Sequence, residues 1–383
     1  MRTALESTRK LETGAKCSAV LVQLHDMVAK RAVVAEKRFM PVIPFALAAF
    51  VPVGLLALGG LWGGVWVWLA LVYISVIAFV LDEGGVRITP AADPEGVVFW
   101  ANSVSVVLAL GHFYLLALGV FAITGATGLS ITERVVAFLG FGLFFGQISI
   151  ANAHDLIHRT QRGLFDLGKW VFISMLYGHV TTSHRLLHHP YVATPKDPTF
   201  PPKGTSFYQY LPRSLWRNLV EGFQIERARA ARSGQMNPYV TYVSGALGGI
   251  VLAWLALGNS GVAALLGFGL YAQFQHAMVD YLQHYGLARR LLPDGRYAPL
   301  QACHSWNSPH WFSALMTVNV TRHSDHHAHP GRVYPALRLE PDMPMLPYSL
   351  PAMGVIALLP SLWFKVMDRR VDRVLAKYDG VRE

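Results

Sequence analysis

Cysteine is almost absent. Cys17 and Cys303 are the only two in 383 residues, and they lie far apart with no CxxC spacing. A disulfide framework, a zinc knuckle or an iron–sulfur site cannot be built within such a chain, so any sulfur-ligated electron carrier has to be another protein. Charge is scarce too. Charged residues make up 15% of the sequence against 53% hydrophobic, and the mean hydropathy of +0.34 is too apolar for an ordinary soluble domain of this length. Acidic residues are the scarcer sign, 23 against 33 Lys and Arg. The surplus of positive charge does not point to nucleic acid, because the basic residues are scattered among apolar spans and form no recognition tract. A membrane protein is the reading that remains. The first apolar run begins only near Phe39, behind a charged leader with Lys30, Arg31, Lys37 and Arg38, which is late for a cleaved signal peptide.

A helix needs about 20 apolar residues to cross the hydrocarbon core. Six segments reach that length, near 39–59, 62–81, 97–123, 134–153, 238–258 and 262–284. The expected fold is therefore an all-α integral membrane protein of six transmembrane helices with a cytoplasmic histidine-rich cap. Residues 1–38 form a cytoplasmic or interfacial N-terminal segment, 39–284 the transmembrane domain with a cytoplasmic insertion at 154–237, and 285–383 the C-terminal cap. Six crossings put both termini on one side, and 32 of the 33 basic residues fall there, leaving only Arg134 at the other face. The positive-inside rule makes that side the cytoplasm, in a bacterial inner membrane. The tail 343–367 is long and apolar enough for a seventh span, but Pro344, Pro347, Pro351 and Pro360 would break it repeatedly, and crossing would carry Arg369, Arg370 and Arg373 outward. It is expected to pack on the cytoplasmic side. "ERARAAR", 226–232, reads as a solvated or headgroup-facing helix.

Histidine is abundant where charge is not. Nine of the 16 histidines fall in four clusters at or beyond the cytoplasmic ends of spans: His154 and His158 in "HDLIH", His184, His188 and His189 in "HRLLHH", His284 in "YLQHYG", and His323, His326 and His327 in "HSDHH". At i,i+3 or i,i+4 spacing on a helix, ring nitrogens share one face, and the adjacent His–His steps widen the arc so that one segment can serve two metals. Nine neutral imidazoles exceed what one metal can use, and imidazole alone does not choose among Fe, Cu, Ni and Zn. Without a metal, so many crowded rings would each need separate hydrogen-bond partners. Asp155, Asp197 and Asp325 lie within or beside the clusters, where a carboxylate can take a ligand's second N–H and fix its tautomer. His25, His112, His276, His304, His310 and His329 lack the spacing and read as packing or outer residues; His179, five residues before His184, is the exception and is a candidate to support the metal site beside Asp155, Asp197 and Asp325.

The motifs "HDLIH", "HRLLHHPYVATPKDP", "YLQHYGL", "CHSWNSPH" and "RHSDHHAHPGRVYPAL" resemble those of the alkane 1-monooxygenase family of integral-membrane non-haem diiron hydroxylases, which includes the hydroxylase subunit of xylene monooxygenase and is similar in its histidine boxes to the fatty-acid desaturases. The resemblance covers roughly 150 through 370. It implies two iron ions held by the nine clustered histidines, oxygen activation, and hydroxylation of a methyl group on an alkane or alkylarene drawn from the bilayer. Electrons are implied to come from a rubredoxin- or ferredoxin-type donor and its reductase. Where members acting on linear alkanes usually carry Glu, this chain has Ser183 and Gln283, and where they carry Gly it has Leu187; these departures bear on substrate range and metal tuning more than on reaction class. A fatty-acyl desaturase or hydroxylase is the alternative within enzymes. A metal transporter is the alternative outside them, but the spans hold few ionisable groups to form a path. Spans two to six are expected to form an apolar tunnel to the histidines, with Trp62, Trp66, Trp68, Phe144 and Phe145 in its wall.

Overall fold

The computed structural model describes residues 40–85 and 90–379; the N-terminal segment 1–38, with Cys17 and His25, and Arg87 lie outside the described residues. Two apolar helices open it, α1 (Ile43–Trp62) and α2 (Val65–Glu83). Gly63 and Gly64 join them with φ of 61° and 58°, a conformation that only glycine enters without strain. The next helix, α3 (Pro94–Thr124), leads to α4 (Ile131–Leu156), which starts on a capping box between Ser130 and Glu133. Glu133 also accepts the Gly64 N–H at 2.6 Å, so the α1–α2 turn is pinned to the start of α4.

A polar layer follows: α5 (Arg162–Ser174), a short helix α6 over 180–191, and α7 (Phe207–Ser233). The chain then re-enters an apolar stretch with α8 (Tyr239–His284), 46 residues long. A straight helix of that length would run about 69 Å, more than twice a hydrocarbon core. It is not straight. Gly258 takes φ 61° and ψ −149°, and Gly249 faces Leu265 across the bend, 3.8 Å from where a Cβ would stand to the Leu265 side chain. Those two positions would lie about 24 Å apart on an unbroken helix, so α8 is a hairpin of two antiparallel arms. Among the described residues, five helices are long and apolar enough to cross a membrane, the fifth being this doubled one. Phe99, Leu252, Leu255 and Leu270 are each about two-thirds exposed or more, the outward apolar face that lipid covers.

The C-terminal part adds α9 (Trp311–Met316), α10 (His323–Ala328), α11 (Leu350–Ala357) and α12 (Pro360–Asp379). The proline-rich tail is thus two helices separated at Leu358–Leu359. Met353, Ala357, Trp363, Met367 and Val371 are buried in a cluster with Tyr281 and Tyr285 at the end of α8 and Phe207 and Tyr210 of α7. Two carboxylates at the end of α2 hold this part to the bundle: Asp82 accepts the Phe312 and Ser313 N–H groups at 2.9 and 3.1 Å, and Glu83 accepts that of Ser349 at 2.9 Å.

Candidate metal centre

The nine clustered histidines arrive from four places. α4 and the turn after it bring His154 and His158, α6 brings His184, His188 and His189, the last residue of α8 is His284, and α10 brings His323, His326 and His327. They sort into two groups, one of His154, His158, His184, His189 and His326 and another of His188, His284, His323 and His327, and within each the donor atoms all lie within 4.8 Å of one another. In the first group His184 Nε2 is the hub, at 2.8 Å from His154 Nε2 and 3.0 Å from those of His158 and His189, with His326 Nε2 3.3 Å from His189 Nε2. In the second, His323 Nε2 lies 2.9 Å from both His284 Nε2 and His327 Nε2, and His327 Nε2 lies 3.2 Å from His188 Nε2.

These spacings test whether the residues fit a metal pair. Two nitrogens about 2.1 Å from one ion stand roughly 3.0 Å apart at a right angle and roughly 3.4 Å apart at the tetrahedral angle. The Nε2 separations match, and the Nε2 atoms of each group converge on one another rather than on carbonyls or carboxylates. Burial holds the rings of His184, His188, His323, His326 and His327 well below the usual imidazole range, with the neighbouring imidazoles adding to it. His189 is pushed down to about 4 by burial and then by Arg185. All are therefore neutral at pH 7, with a lone pair to give. Neither group contains a carboxylate.

Local structure decides which histidine goes where. Residues 184–188 form a π-helical turn, which places His184 beside His189, five positions on, and sends His188 to the other group. In α10 the ordinary i,i+4 pair His323 and His327 stays together, and His326 crosses over. Each of these two segments therefore contributes to both groups.

Around the groups, His188 Nδ1–H donates to Asp197 Oδ2 at 2.9 Å, and Thr199, whose hydroxyl donates to Asp197 Oδ1 at 2.8 Å, stands 2.6 Å from the same nitrogen. Burial lifts the Asp197 carboxyl to about 7 against the opposing Thr199 hydrogen bonds. The arrangement fixes the Nδ1–H tautomer and leaves Nε2 free for a metal. Asp155 and Asp325 face elsewhere: Asp155 pairs with Arg159, and Asp325 accepts from Arg332 at 2.6 Å and from the Arg338 N–H at 2.8 Å, tying down the loop after α10. Asp325 does meet a histidine, His329 at 3.2 Å, but one outside both groups. His179 is also outside them and packs edge-on against Tyr177. His112 bridges Ser149 and Ser174 at 2.6 and 2.8 Å and ties α3 to α4 and α5.

A cavity of about 200 Å³ touches both groups, at His154 and His323. Its walls are α4 (Leu143, Ile150, Ala151), the second arm of α8 (Tyr271, Met278, Leu282) and, from the tail, Leu350, Gly354 and Val355. This corrects the expected tunnel. None of Trp62, Trp66, Trp68, Phe144 or Phe145 lines it: Trp62 and Trp68 are 69% and 47% exposed on the outer α1–α2 hairpin, while Phe144 and Phe145 are fully buried, Phe145 packing edge-on against Phe268. Sequence reasoning missed Thr199, for which the Asp-Pro-Thr turn was a usable signal, and missed the tail as a cavity wall, for which there was none. Gln283 lines the cavity and donates to the Val320 carbonyl at 2.8 Å; Ser183 and Leu187, the other two departures, are buried in α6.

The family model described as fatty acid desaturase matches residues 132–354, the stretch that carries all nine histidines. An alkane 1-monooxygenase 2 of Alcanivorax borkumensis is 29% identical over 340 residues, 82% of this chain and 84% of the relative. The xylene/toluene monooxygenase hydroxylase component of Pseudomonas putida is 28% identical over 82% of this chain and 84% of its own length. An alkane 1-monooxygenase 1 of Pseudomonas aeruginosa is 34% identical over 61% of this chain and 62% of its own.

Proposed function

This chain belongs to the fatty acid desaturase family, and from that premise we propose that it is a membrane diiron monooxygenase hydroxylating a methyl group of an alkane or alkylarene. The observation that carries the reading is the five-plus-four division of nine imidazoles, seven of them buried, opened by an apolar cavity that ends on a histidine of each group. Bound there, two iron ions would supply the redox chemistry that breaking an unactivated C–H bond requires and that no side chain here offers. The protein's part is to hold and to position. His154, His158, His184, His189 and His326 would hold one ion, and His188, His284, His323 and His327 the other, with Asp197 and Thr199 orienting His188. Leu143, Met278 and Val355 press an apolar chain towards the histidines and keep bulk water from them.

The six helical segments counting both arms of α8, with 32 of 33 basic residues on one side, support six crossings with both termini and the histidines in the cytoplasm. Reporter fusions near 128 and 259 are expected to read external and those after 200 and at the C-terminus cytoplasmic; an external C-terminus overturns this topology. Electrons come from a separate rubredoxin- or ferredoxin-type carrier with its reductase, since the two cysteines cannot frame a sulfur-ligated centre. The decisive experiment supplies labelled dioxygen, a reductase and a carrier to membranes holding this chain. One labelled oxygen in a terminal or benzylic alcohol is the expected product. An unlabelled alkene from a fatty-acyl substrate points instead to a desaturase.

A further inference from the structure

The segment "ERARAAR" has a place that the metal centre does not use. Its Glu226, Arg229 and Arg232, on α7, line a second cavity of about 590 Å³ together with Lys169 of α5 and Arg185 of α6. Four cations there face one carboxylate. Lys169 pairs with Asp166 at 2.5 Å and Arg229 with Glu226 at 3.3 Å, and Glu226 also accepts from the Thr182 hydroxyl at 3.1 Å. Arg185 and Arg232 have no carboxylate partner among the described residues, and the Arg185 guanidinium sits 4.8 Å over the Phe165 ring. Two of the four cations are therefore left without a neutralising carboxylate.

On the six-crossing topology proposed above, its location is at the bilayer edge. Tyr242, one turn into the first arm of α8, forms part of the wall, as do Phe165 and Met236. Trp170, next to Lys169, is 44% exposed and packs where α8 passes, since a Cβ at Gly245 would stand 2.8 Å from its ring. Aromatic rings of this kind sit at headgroup depth, and a basic pocket between helices on the cytoplasmic side is the form that recognises lipid phosphates. Guanidinium groups give the phosphate oxygens paired, charge-assisted hydrogen bonds, and the apolar wall suits the glycerol and first acyl carbons.

We propose that this cavity binds a phosphate group, that of an anionic phospholipid, between α5, α6 and α7. The test uses the full chain in detergent, followed by native mass spectrometry and thermal unfolding, with phosphatidylglycerol, phosphatidylcholine or inorganic phosphate added separately. Phosphatidylglycerol is expected to be retained and to raise the unfolding temperature, and phosphatidylcholine is not. The K169Q/R229Q/R232Q variant is expected to weaken that retention by about fivefold per cation removed, and Glu226→Gln, which keeps an acceptor for Thr182, to strengthen it. Should the triple variant fail to fold, the Glu226→Gln comparison alone decides, because stronger retention supports the site and unchanged retention refutes it. Stabilisation by inorganic phosphate with none by phosphatidylglycerol overturns the lipid source. Equal retention of phosphatidylglycerol by the wild type and triple variant overturns the site, and if only turnover with an acidic carrier protein then drops, the cations serve protein docking instead.

Discussion

The two histidine groups use one donor type and differ in nearly everything else. The five-membered group gathers around His184 and includes two rings, His158 and His189, that are only half-buried. The four-membered group is buried throughout, and His188 within it is tied to Asp197 and Thr199. One site is donor-rich and near the surface of the cap; the other is donor-poor, deep and braced from behind. A four-donor ion keeps more of its coordination sphere for other ligands, and the cavity reaches both groups. The difference teaches that equal histidines need not make equal metal sites, because the number of donors and their bracing are set by the turn of helix each residue occupies.

The comparison breaks most sharply when a donor of either group is removed. His184→Ala takes away the ring that contacts three others in its group, and His327→Ala takes away one of four in the other. Each is expected to lower bound iron from about two ions per chain to about one or fewer and to abolish hydroxylation, with membrane insertion intact. Iron counted by mass spectrometry on purified protein checks it; two ions retained in both variants would contradict the division. His112→Ala should keep its iron and lose thermal stability, since it breaks a buried bridge between three helices.

Bracing is the next difference. Asp197→Asn keeps the shape but puts an amide group where the carboxyl oxygens accept, and Thr199→Val removes the hydroxyl that holds it. Changes of this class cost about 10- to 100-fold in metal affinity, and the cost should fall on the four-membered group alone. Iron titration of the apo-protein should then show one site weakened and one unchanged. Equal weakening of both would mean that Asp197 supports the cap as a whole.

Much of this was legible in the sequence, and the illegible part has a physical cause. The apolar runs stood out because lipid demands unbroken hydrophobicity along a whole span, and all nine histidines could be named because their spacing is local. The allocation between two groups was not legible. It depends on the π-helical turn at 184–188, which changes the neighbour of His184 from His188 to His189 without any mark in the sequence pattern. The cavity wall escaped for a different reason. Leu350, Gly354 and Val355 lie 23 to 28 residues beyond His327, in no fixed register with the histidine boxes, and only the docking of the tail on α8 brings them to the centre. The aromatic residues of the first hairpin and of α4 were the more conspicuous choice, and they face lipid or core.

Because the tail closes the cavity, its size can be altered without touching either metal group. A Cβ at Gly354 would meet only Met278 Cγ, at 3.8 Å, so Gly354→Leu should fold and place its side chain in cavity space. Bound iron should stay at the wild-type level, and the product profile over a panel of alkanes and methylarenes should shift several-fold towards shorter or slimmer substrates. An unchanged profile would show that substrate reaches the histidines along another wall.

The smallest effect expected is that of pH, and it applies to the protein without metal. In the unfolded chain an imidazole takes a proton near 6.5, whereas in the fold His189 resists protonation down to about 4, and burial keeps His184, His188, His323, His326 and His327 low as well. The unfolded state therefore binds more protons throughout that interval, so stability rises with pH across it and falls as acid is added from about 6.5 towards 4. Thermal unfolding of the apo-protein should drop steadily between pH 7 and 5 and flatten above 7. With iron bound the drop should be at least as steep, because a coordinated imidazole takes no proton in the folded state while the unfolded chain still does. Replacing half-buried His189 by Gln should relieve less of the acid sensitivity than replacing His188, whose ring is deep in the four-membered group. An apo-protein as stable at pH 5 as at pH 7 would show that the folded imidazoles titrate like free ones and that their burial does not hold them neutral.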